Sequence, residues 1–291
     1  MPFLAILRHD LRTLRESWLV RIWLAATALV ALLLAMSNWA EFRTASLIAS
    51  LLVPYLVFPW FLVVMVLGVN PVSGSRLEAL ADGFLSRPVT RYEYLLAVWA
   101  ARVVAVLGVY FLVMVPMVLI VTLANRPAPV EHVTLYGIIA ALAVVALVLT
   151  FQVSLAFLLG TLLRRPLLAI VLLLFFWSSV NIVLHNFKLQ SFSPLSLSQA
   201  LPTLLRQPWH TGDATSGSPA SEVDIEELQR QTTNFLNFFS GGAPQKTETK
   251  PRFFETTDYK DFSLLRVLLG YGIPTLAAVG LSILCFCWRD L

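Results

Sequence analysis

The residues best suited to form a polar contact site lie in a break between two long apolar runs, the stretch "ADGFLSRPVTRYEYLL" at residues 81–96. It carries two arginines, two acids, a proline and a glycine. Charged side chains on a rigid turn can form charge-assisted hydrogen bonds with another protein. The four histidines of the chain are scattered and show no metal-ligand spacing. We therefore expect a docking surface here rather than a catalytic or metal centre.

The local sequence predicts a defined shape for this break. Residues 75–78, "SRLE", form a capping box that begins a short helix, and Gly83 ends it, because glycine tolerates the left-handed cap conformation. Pro88 then keeps Arg87 out of helical geometry. A second capping box, "TRYE" at residues 90–93, begins the next helix. Two caps and a proline indicate a shape held for contact with a partner; the alternative is a well-capped re-entry turn without one.

The composition places this break in an all-α, polytopic membrane protein. The chain of 291 residues is 58% hydrophobic and 13% charged, whereas a soluble domain is about 25% charged. Six apolar runs approach or exceed the roughly 20 residues needed to cross hydrocarbon. These predicted spans are residues 18–38, 45–69, 95–124, 133–163, 167–184 and 262–288. Pro54 and Pro59 predict a bent second span, and Pro116 and Pro274 predict kinks in the third and sixth.

The distribution of arginine predicts the orientation. With both termini in the cytoplasm, the inner segments hold Arg8, Arg12, Arg15, Arg21, Arg76, Arg87, Arg91, Arg164, Arg165 and Arg289. The two short outer loops hold Arg43 and Arg126. This bias satisfies the positive-inside rule.

The segments outside the spans predict two further parts. Residues 1–17 form an amphipathic interfacial helix, with leucines on one face and Arg8, Arg12 and Arg15 on the adjacent face. This helix either only anchors the chain or also offers a docking surface. Residues 186–261 form an extracytoplasmic domain between the fifth and sixth spans, with an apolar helical stripe at residues 225–239. That stripe packs on the spans, forms a gate over an exit, or binds an external partner. Residues 18–185 and 262–291 hold the spans.

The spans contain no Asp, Glu, Lys or His. Proton- or sodium-coupled transporters generally need such groups within the membrane. Arg21, Arg102 and Arg266 lie close enough to helix ends that we expect them to reach the interface. The chain has no phosphate-binding loop, so it is not expected to be an ATPase or another enzyme. Any driving energy must therefore enter from a separate partner.

A few other polar residues and the cysteines fall within the predicted spans. Gln152, Ser178, Ser179 and Asn181 are expected to form interhelical hydrogen bonds or to line a substrate path. Cys285 and Cys287 are expected to pack as ordinary apolar residues.

The stretch at residues 81–96 resembles the cytoplasmic signature of ABC-2 type transporter permeases, the membrane subunits of six-span type V ABC exporters. Asp82, Gly83, Leu85, Ser86, Pro88, Val89 and Arg91 match its acid, glycine and "LSxPVSR" core, with Thr90 in place of the usual serine. Ala97 and Val98 depart from it where the family often has Gly-Lys, and the insertion before the last span is long. The interfacial helix, six spans and cytoplasmic termini are also similar to the family layout.

The resemblance implies that residues 75–90 form a coupling helix that contacts a separate ATPase. The residues implied in coupling are Glu78, Asp82, Gly83, Arg87, Pro88 and Arg91. Two ATPase subunits would bind ATP and Mg²⁺, and two permease chains, as a homodimer, would enclose the path in a bacterial cytoplasmic membrane. Membrane lipids are further partners; no nucleic acid, metal or cofactor is expected in this chain.

Two other functions remain open. The chain could relay ATPase motion to an extracytoplasmic partner, as a mechanotransmission or scaffold protein, without transporting a substrate. It could also be a membrane anchor with no ATPase. The sequence does not identify a cargo.

Overall fold

The computed structural model describes residues 2–39, 42–56, 59–69, 90–124, 133–163, 165–186, 194–206 and 264–289. All regular structure within these ranges is helical, which confirms the predicted all-α class. The nine helices described are α1 Pro2–Glu16, α2 Trp18–Ser37, α3 Thr44–Leu56, α4 Trp60–Val69, α5 Arg91–Leu123, α6 Leu135–Leu162, α7 Pro166–Asn186, α8 Pro194–Leu205 and α9 Leu264–Arg289.

Five stretches of these helices are long and apolar enough to cross a membrane. They are Trp18–Ser37, Thr44–Val69, Tyr92–Leu123, Leu135–Leu162 and Leu264–Phe286. They coincide with five of the six predicted spans and indicate a multi-pass membrane protein. The other predicted span, 167–184, falls on α7, which runs over Pro166–Asn186 and includes the apolar stretch Pro166–Trp177.

Large apolar side chains cover much of the outer surface of the bundle. Among the exposed ones are Leu112, Leu119, Phe175, Leu268 and Leu276. In water such a surface would cause aggregation, whereas in a bilayer it contacts lipid tails. Since lipid offers no hydrogen bonds, the chain satisfies its backbone groups within helices.

Helix α6 is the centre of the described bundle. It packs against α3, α4, α5, α7, α8 and α9. Many of its inward positions are small or β-branched and almost fully buried, among them Val145, Val148, Val153 and Ala156. Small side chains let neighbouring backbones approach, and this close packing drives helix association in membranes.

The second predicted span is divided at its prolines. Helix α3 ends two residues after Pro54, and α4 begins directly after Pro59. A proline lacks an N–H and is tolerated in the first turn of a helix, where that N–H would have no partner. Pro116 and Pro274 lie inside the continuous helices α5 and α9.

The end of α4 lies against α6 at two glycines. A Cβ atom placed on Gly68 would overlap the Cβ of Ala156. A Cβ on Gly160 would lie 2.8 Å from the carbonyl oxygen of Val69 and 3.1 Å from its Cα. Backbone atoms cannot turn aside as a side chain can, so only glycine fits at position 160 without moving α4.

Helix α8 was not predicted from the sequence. It lies within the segment assigned to the extracytoplasmic domain, yet it packs on α3 and α6. Leu197, Leu201, Leu204 and Leu205 are buried there. The chain divides into two units: the helical unit runs to residue 207 and resumes at residue 257. The second unit, residues 208–256, and the predicted helical stripe at 225–239 lie outside the described residues.

The α4–α6 contact predicts that Gly160→Ala destabilises the protein. Overpacking of this kind costs about 1–3 kcal/mol, which exceeds the roughly 1 kcal/mol that alanine gains over glycine in a helix. The thermal unfolding temperature of the purified protein in detergent should fall.

Gly108→Ala and Gly280→Ala are matched controls, because a Cβ atom at either helical glycine meets nothing within 4 Å. Their unfolding temperatures should stay unchanged or rise. An unfolding temperature for Gly160→Ala at or above that of the controls would contradict the close approach.

Candidate functional site

The predicted coupling residues lie between α4 and α5. Glu78, Asp82, Gly83, Arg87 and Pro88 fall outside the described residues. Arg91 is the first residue of α5. The structure therefore describes the two borders of the predicted site, Val69 at the end of α4 and Thr90 before α5, and the helices that hold those borders.

Helix α5 begins where the second capping box predicted. Thr90 has extended geometry, with φ −75° and ψ 142°, and its carbonyl accepts the N–H of Tyr94 at 3.2 Å. Glu93 lies in the first turn, where a carboxylate interacts favourably with the helix dipole. The Thr90 hydroxyl is exposed and makes no capping hydrogen bond within the described residues. The helix start is thus confirmed, whereas the expected side-chain cap is not formed.

Arg102 turns towards neighbouring backbone inside the helix bundle. It is eleven residues after the start of α5, about 16 Å along the helix axis. Its Nε donates to the carbonyl of Leu67 on α4 at 3.0 Å. Its Nη1 donates to the carbonyl of Val98, one turn earlier in α5, also at 3.0 Å. That Arg102 reaches the membrane interface stays a prediction.

The Leu67 carbonyl is a favourable acceptor for this arginine. Leu67 lies two residues before the last residue of α4, and Pro71, four residues after Leu67, has no N–H to donate to its carbonyl. The C-terminal end of a helix also carries partial negative charge, which attracts a cation. One guanidinium therefore joins the end of α4 to α5.

Asp10 of α1 lies within electrostatic reach of the same guanidinium, and the sequence analysis overlooked it. Burial raises the pKa of the Asp10 carboxyl, while the positive charges of Arg102 and His9 oppose that rise. Tyr94 of α5 is a third ionisable neighbour of the Asp10 carboxyl. Asp10 lies seven residues after Phe3 and four after Ile6, which places it on the face that they form. An acid on an apolar helix face was the signal that could have identified it.

Helix α1 was predicted over residues 1–17 and extends over Pro2–Glu16. Phe3 and Ile6 pack against a cluster on α5 and α6 that includes Val98 and Phe157. The side of α1 that meets the protein is therefore this face, and not the whole predicted leucine stripe, since Leu4 is 56% exposed.

The three predicted arginines of α1 are exposed. Arg8, Arg12 and Arg15 all point away from the helix bundle. Arg12 forms an ion pair with Glu16 at 3.1 Å, and the Arg15 carbonyl accepts a bond from Arg21 at 3.3 Å. An exposed pair of this kind contributes little to stability, so these arginines remain accessible to an external anion.

Four polar residues inside the spans were expected to form interhelical hydrogen bonds or to line a substrate path. A hydrogen bond between helices is formed instead by Ser154, which was not among those four. Trp99 of α5 donates its indole N–H to the Ser154 hydroxyl of α6 at 3.0 Å. Gln152, which was named, is 1% exposed, and its amide has no hydrogen-bond partner among the described residues. Asn181 and the side chain of Ser178 lie outside the part that can be described.

A second junction of helix ends lies where α8 meets the start of α6. The Thr134 N–H donates to the carbonyl of Leu205, the last residue of α8, at 3.1 Å. The Thr134 hydroxyl accepts the N–H of Gly137 at 3.0 Å and caps α6. A Cβ at Gly137 would lie 2.6 Å from the Leu205 carbonyl carbon, so a glycine is needed for this contact.

Comparison of the chain with protein-family models and with curated proteins finds no match.

The raised pKa of Asp10 predicts that α1 binds its site on α5 more tightly in acid. Docking buries the carboxyl, so the docked state holds the proton more strongly than the free state. This contribution is fully present below the ordinary aspartate pKa of about 3.9 and is lost as the pH rises through the raised value. Amide hydrogen exchange of residues 2–16, corrected for intrinsic rates, should therefore be slower at a pH near the ordinary aspartate pKa than at neutral pH.

Asp10→Asn should abolish this pH dependence and leave α1 at least as protected at neutral pH. His9→Gln is the control, because His9 is the other ionisable neighbour of Asp10 on α1. If exchange in α1 slows in acid as much in Asp10→Asn as in the unmodified protein, the pH dependence belongs to another group.

Proposed function

We propose that this chain is the permease subunit of an ATP-driven ABC exporter in a bacterial cytoplasmic membrane. Both termini lie in the cytoplasm, and two copies form a homodimer around the transport path. Two separate ATPase subunits bind ATP and Mg²⁺ and contact residues 75–90. The chain itself is the non-catalytic subunit.

One observation carries this proposal: the six predicted spans hold no Asp, Glu, Lys or His, and Glu93 and His185 lie just beyond the ends of the third and fifth. Without such groups at depth, an ion gradient has nothing to protonate or bind along the path. The driving force must then be applied from outside the hydrocarbon. The polar segment between α4 and α5 is the part of the sequence with the charge and the turn signals for that contact.

The finer architecture follows from the same reading. Helix α7 has 21 residues, about 31 Å in length, so the whole helix is long enough to supply the fifth of the six proposed spans. The exposed Leu4 and exposed arginines of α1 suit an interfacial helix, with the leucine towards lipid and the arginines at the headgroups.

The proposed mechanism is alternating access. ATP closes the ATPase dimer, which pushes residues 75–90 and α1. The end of α4 is joined to α5 through Arg102 and lies tightly against α6. A displacement of the end of α4 would therefore move α5 and α6 as well. The division between α3 and α4 at Pro59 offers a place where the second span could change its angle.

A mechanical relay is the second candidate, and the junction of α8 with α6 favours it. Thr134 joins the start of α6 to the last residue of α8, which directly precedes residues 206–261 of the predicted extracytoplasmic domain. Motion of α6 would therefore reach that segment, and any extracytoplasmic partner bound to it, with no substrate crossing.

The coupling assignment predicts the effect of Pro88→Ala combined with Arg91→Ala. With the partner ATPase present, transport per ATP hydrolysed should fall about tenfold, a typical size for a coupling free energy between sites. Membrane insertion should be unchanged. The partner is identified by copurification with the tagged chain, and both rates are measured in proteoliposomes.

Arg126→Ala combined with Pro127→Ala is the matched control, because this Arg-Pro pair lies in a predicted outer loop. It should leave coupling intact. Normal coupling in the Pro88 and Arg91 variant would contradict the assignment, and the lack of any nucleotide-binding partner would favour a simple anchor. A sealed interface between protomers in every nucleotide state would favour the relay.

A further inference from the structure

Charged side chains within membrane spans are rare and generally functional. Arg102 lies inside the apolar stretch Tyr92–Leu123. Both of its bonds go to backbone carbonyls, one on its own helix and one on α4. An apolar side chain at this position would avoid the cost of desolvating a guanidinium. A role in positioning would explain why an arginine occupies it.

The place of the bond indicates what is positioned. Leu67 is two residues from Val69, the last residue of α4 and the border of residues 70–89. From the other side, the Val69 backbone lies against Gly160 of α6. The end of α4 is thus held on one side by a hydrogen bond from α5 and on the other by close packing on α6.

Helix α1 reaches the same point. Its Phe3 and Ile6 pack beside Leu95 and Val98, on the turns of α5 that precede Arg102. Asp10 brings a carboxyl within electrostatic reach of the Arg102 guanidinium. Three helices, α1, α4 and α5, therefore meet at one side chain.

We propose that Arg102 is a positioning residue that holds the end of α4 against α5 and so fixes where residues 70–89 leave the helix bundle. The inference rests on the proposed function only for the meaning of residues 70–89 as a coupling segment; the bond between α4 and α5 can be tested without an ATPase.

The test uses the full chain in lipid nanodiscs, with Cys285 and Cys287 replaced by alanine. Spin labels are attached at Val66→Cys, a half-buried position near the end of α4, and at Leu112→Cys, which is 64% exposed on α5. Pulsed electron–electron resonance then gives the distribution of distances between the labels. Arg102→Met should broaden this distribution roughly twofold, because the end of α4 would be held on one side only.

Arg102→Lys keeps a charged donor but loses the fork of donors that reaches two carbonyls. Its distribution should lie between those of the wild type and Arg102→Met. Arg266→Met is the matched control, since Arg266 is an exposed arginine at the start of α9. It should leave the distribution unchanged.

An unchanged width in folded Arg102→Met, even with a lower unfolding temperature, would overturn the inference and leave Arg102 as a structural residue. Should Arg102→Met fail to fold, Arg102→Lys decides, because loss of one bond must still broaden the distribution. Broadening without any ATPase that couples through residues 75–90 would preserve the positioning role and reject the proposed function. If an ATPase couples through residues 75–90 but Arg102→Met leaves the width of the distance distribution unchanged, the proposed function stands and the positioning role is rejected.

Discussion

A helix that ends among buried side chains leaves carbonyl groups without partners, and water cannot reach them. The described helices meet this constraint in two places. The Leu67 carbonyl at the end of α4 accepts a bond from Arg102, and the Leu205 carbonyl at the end of α8 accepts one from Thr134. Each donor belongs to a neighbouring helix, so satisfying a helix end also fixes how two helices are arranged.

Close packing makes these bonds possible. Between lipid-facing helices the hydrophobic effect offers little, and association depends on contact between backbones. Gly160 admits the end of α4, and Gly137 admits the end of α8. Both glycines lie on α6, so this one helix receives the ends of two others. A single larger side chain at either position would displace a helix end together with its hydrogen-bond partner.

The two junctions border the segments that carry the proposed function. Residues 70–89 follow α4, and residues 206–261 of the predicted extracytoplasmic domain follow α8. A permease or a relay has to pass displacement between such segments, and rigid borders do this better than loose ones. Asp10 adds a titratable group to the first junction, where burial opposes its charge and Arg102 favours it. The balance between these two effects sets how firmly α1 is held.

The sequence by itself determined which stretches are apolar enough to span a membrane, where α5 begins and where prolines divide the second span. These are local properties: a bilayer selects for length and hydropathy, and a proline acts on its own backbone. Only the tertiary structure decided which face of α1 meets the bundle, that Arg102 turns inward, that α8 packs on α3 and α6, and that Trp99 and Ser154 join two helices. Each of these depends on a partner far away in the chain, because burial and hydrogen bonding are properties of pairs of elements. Hydropathy along one element cannot specify them.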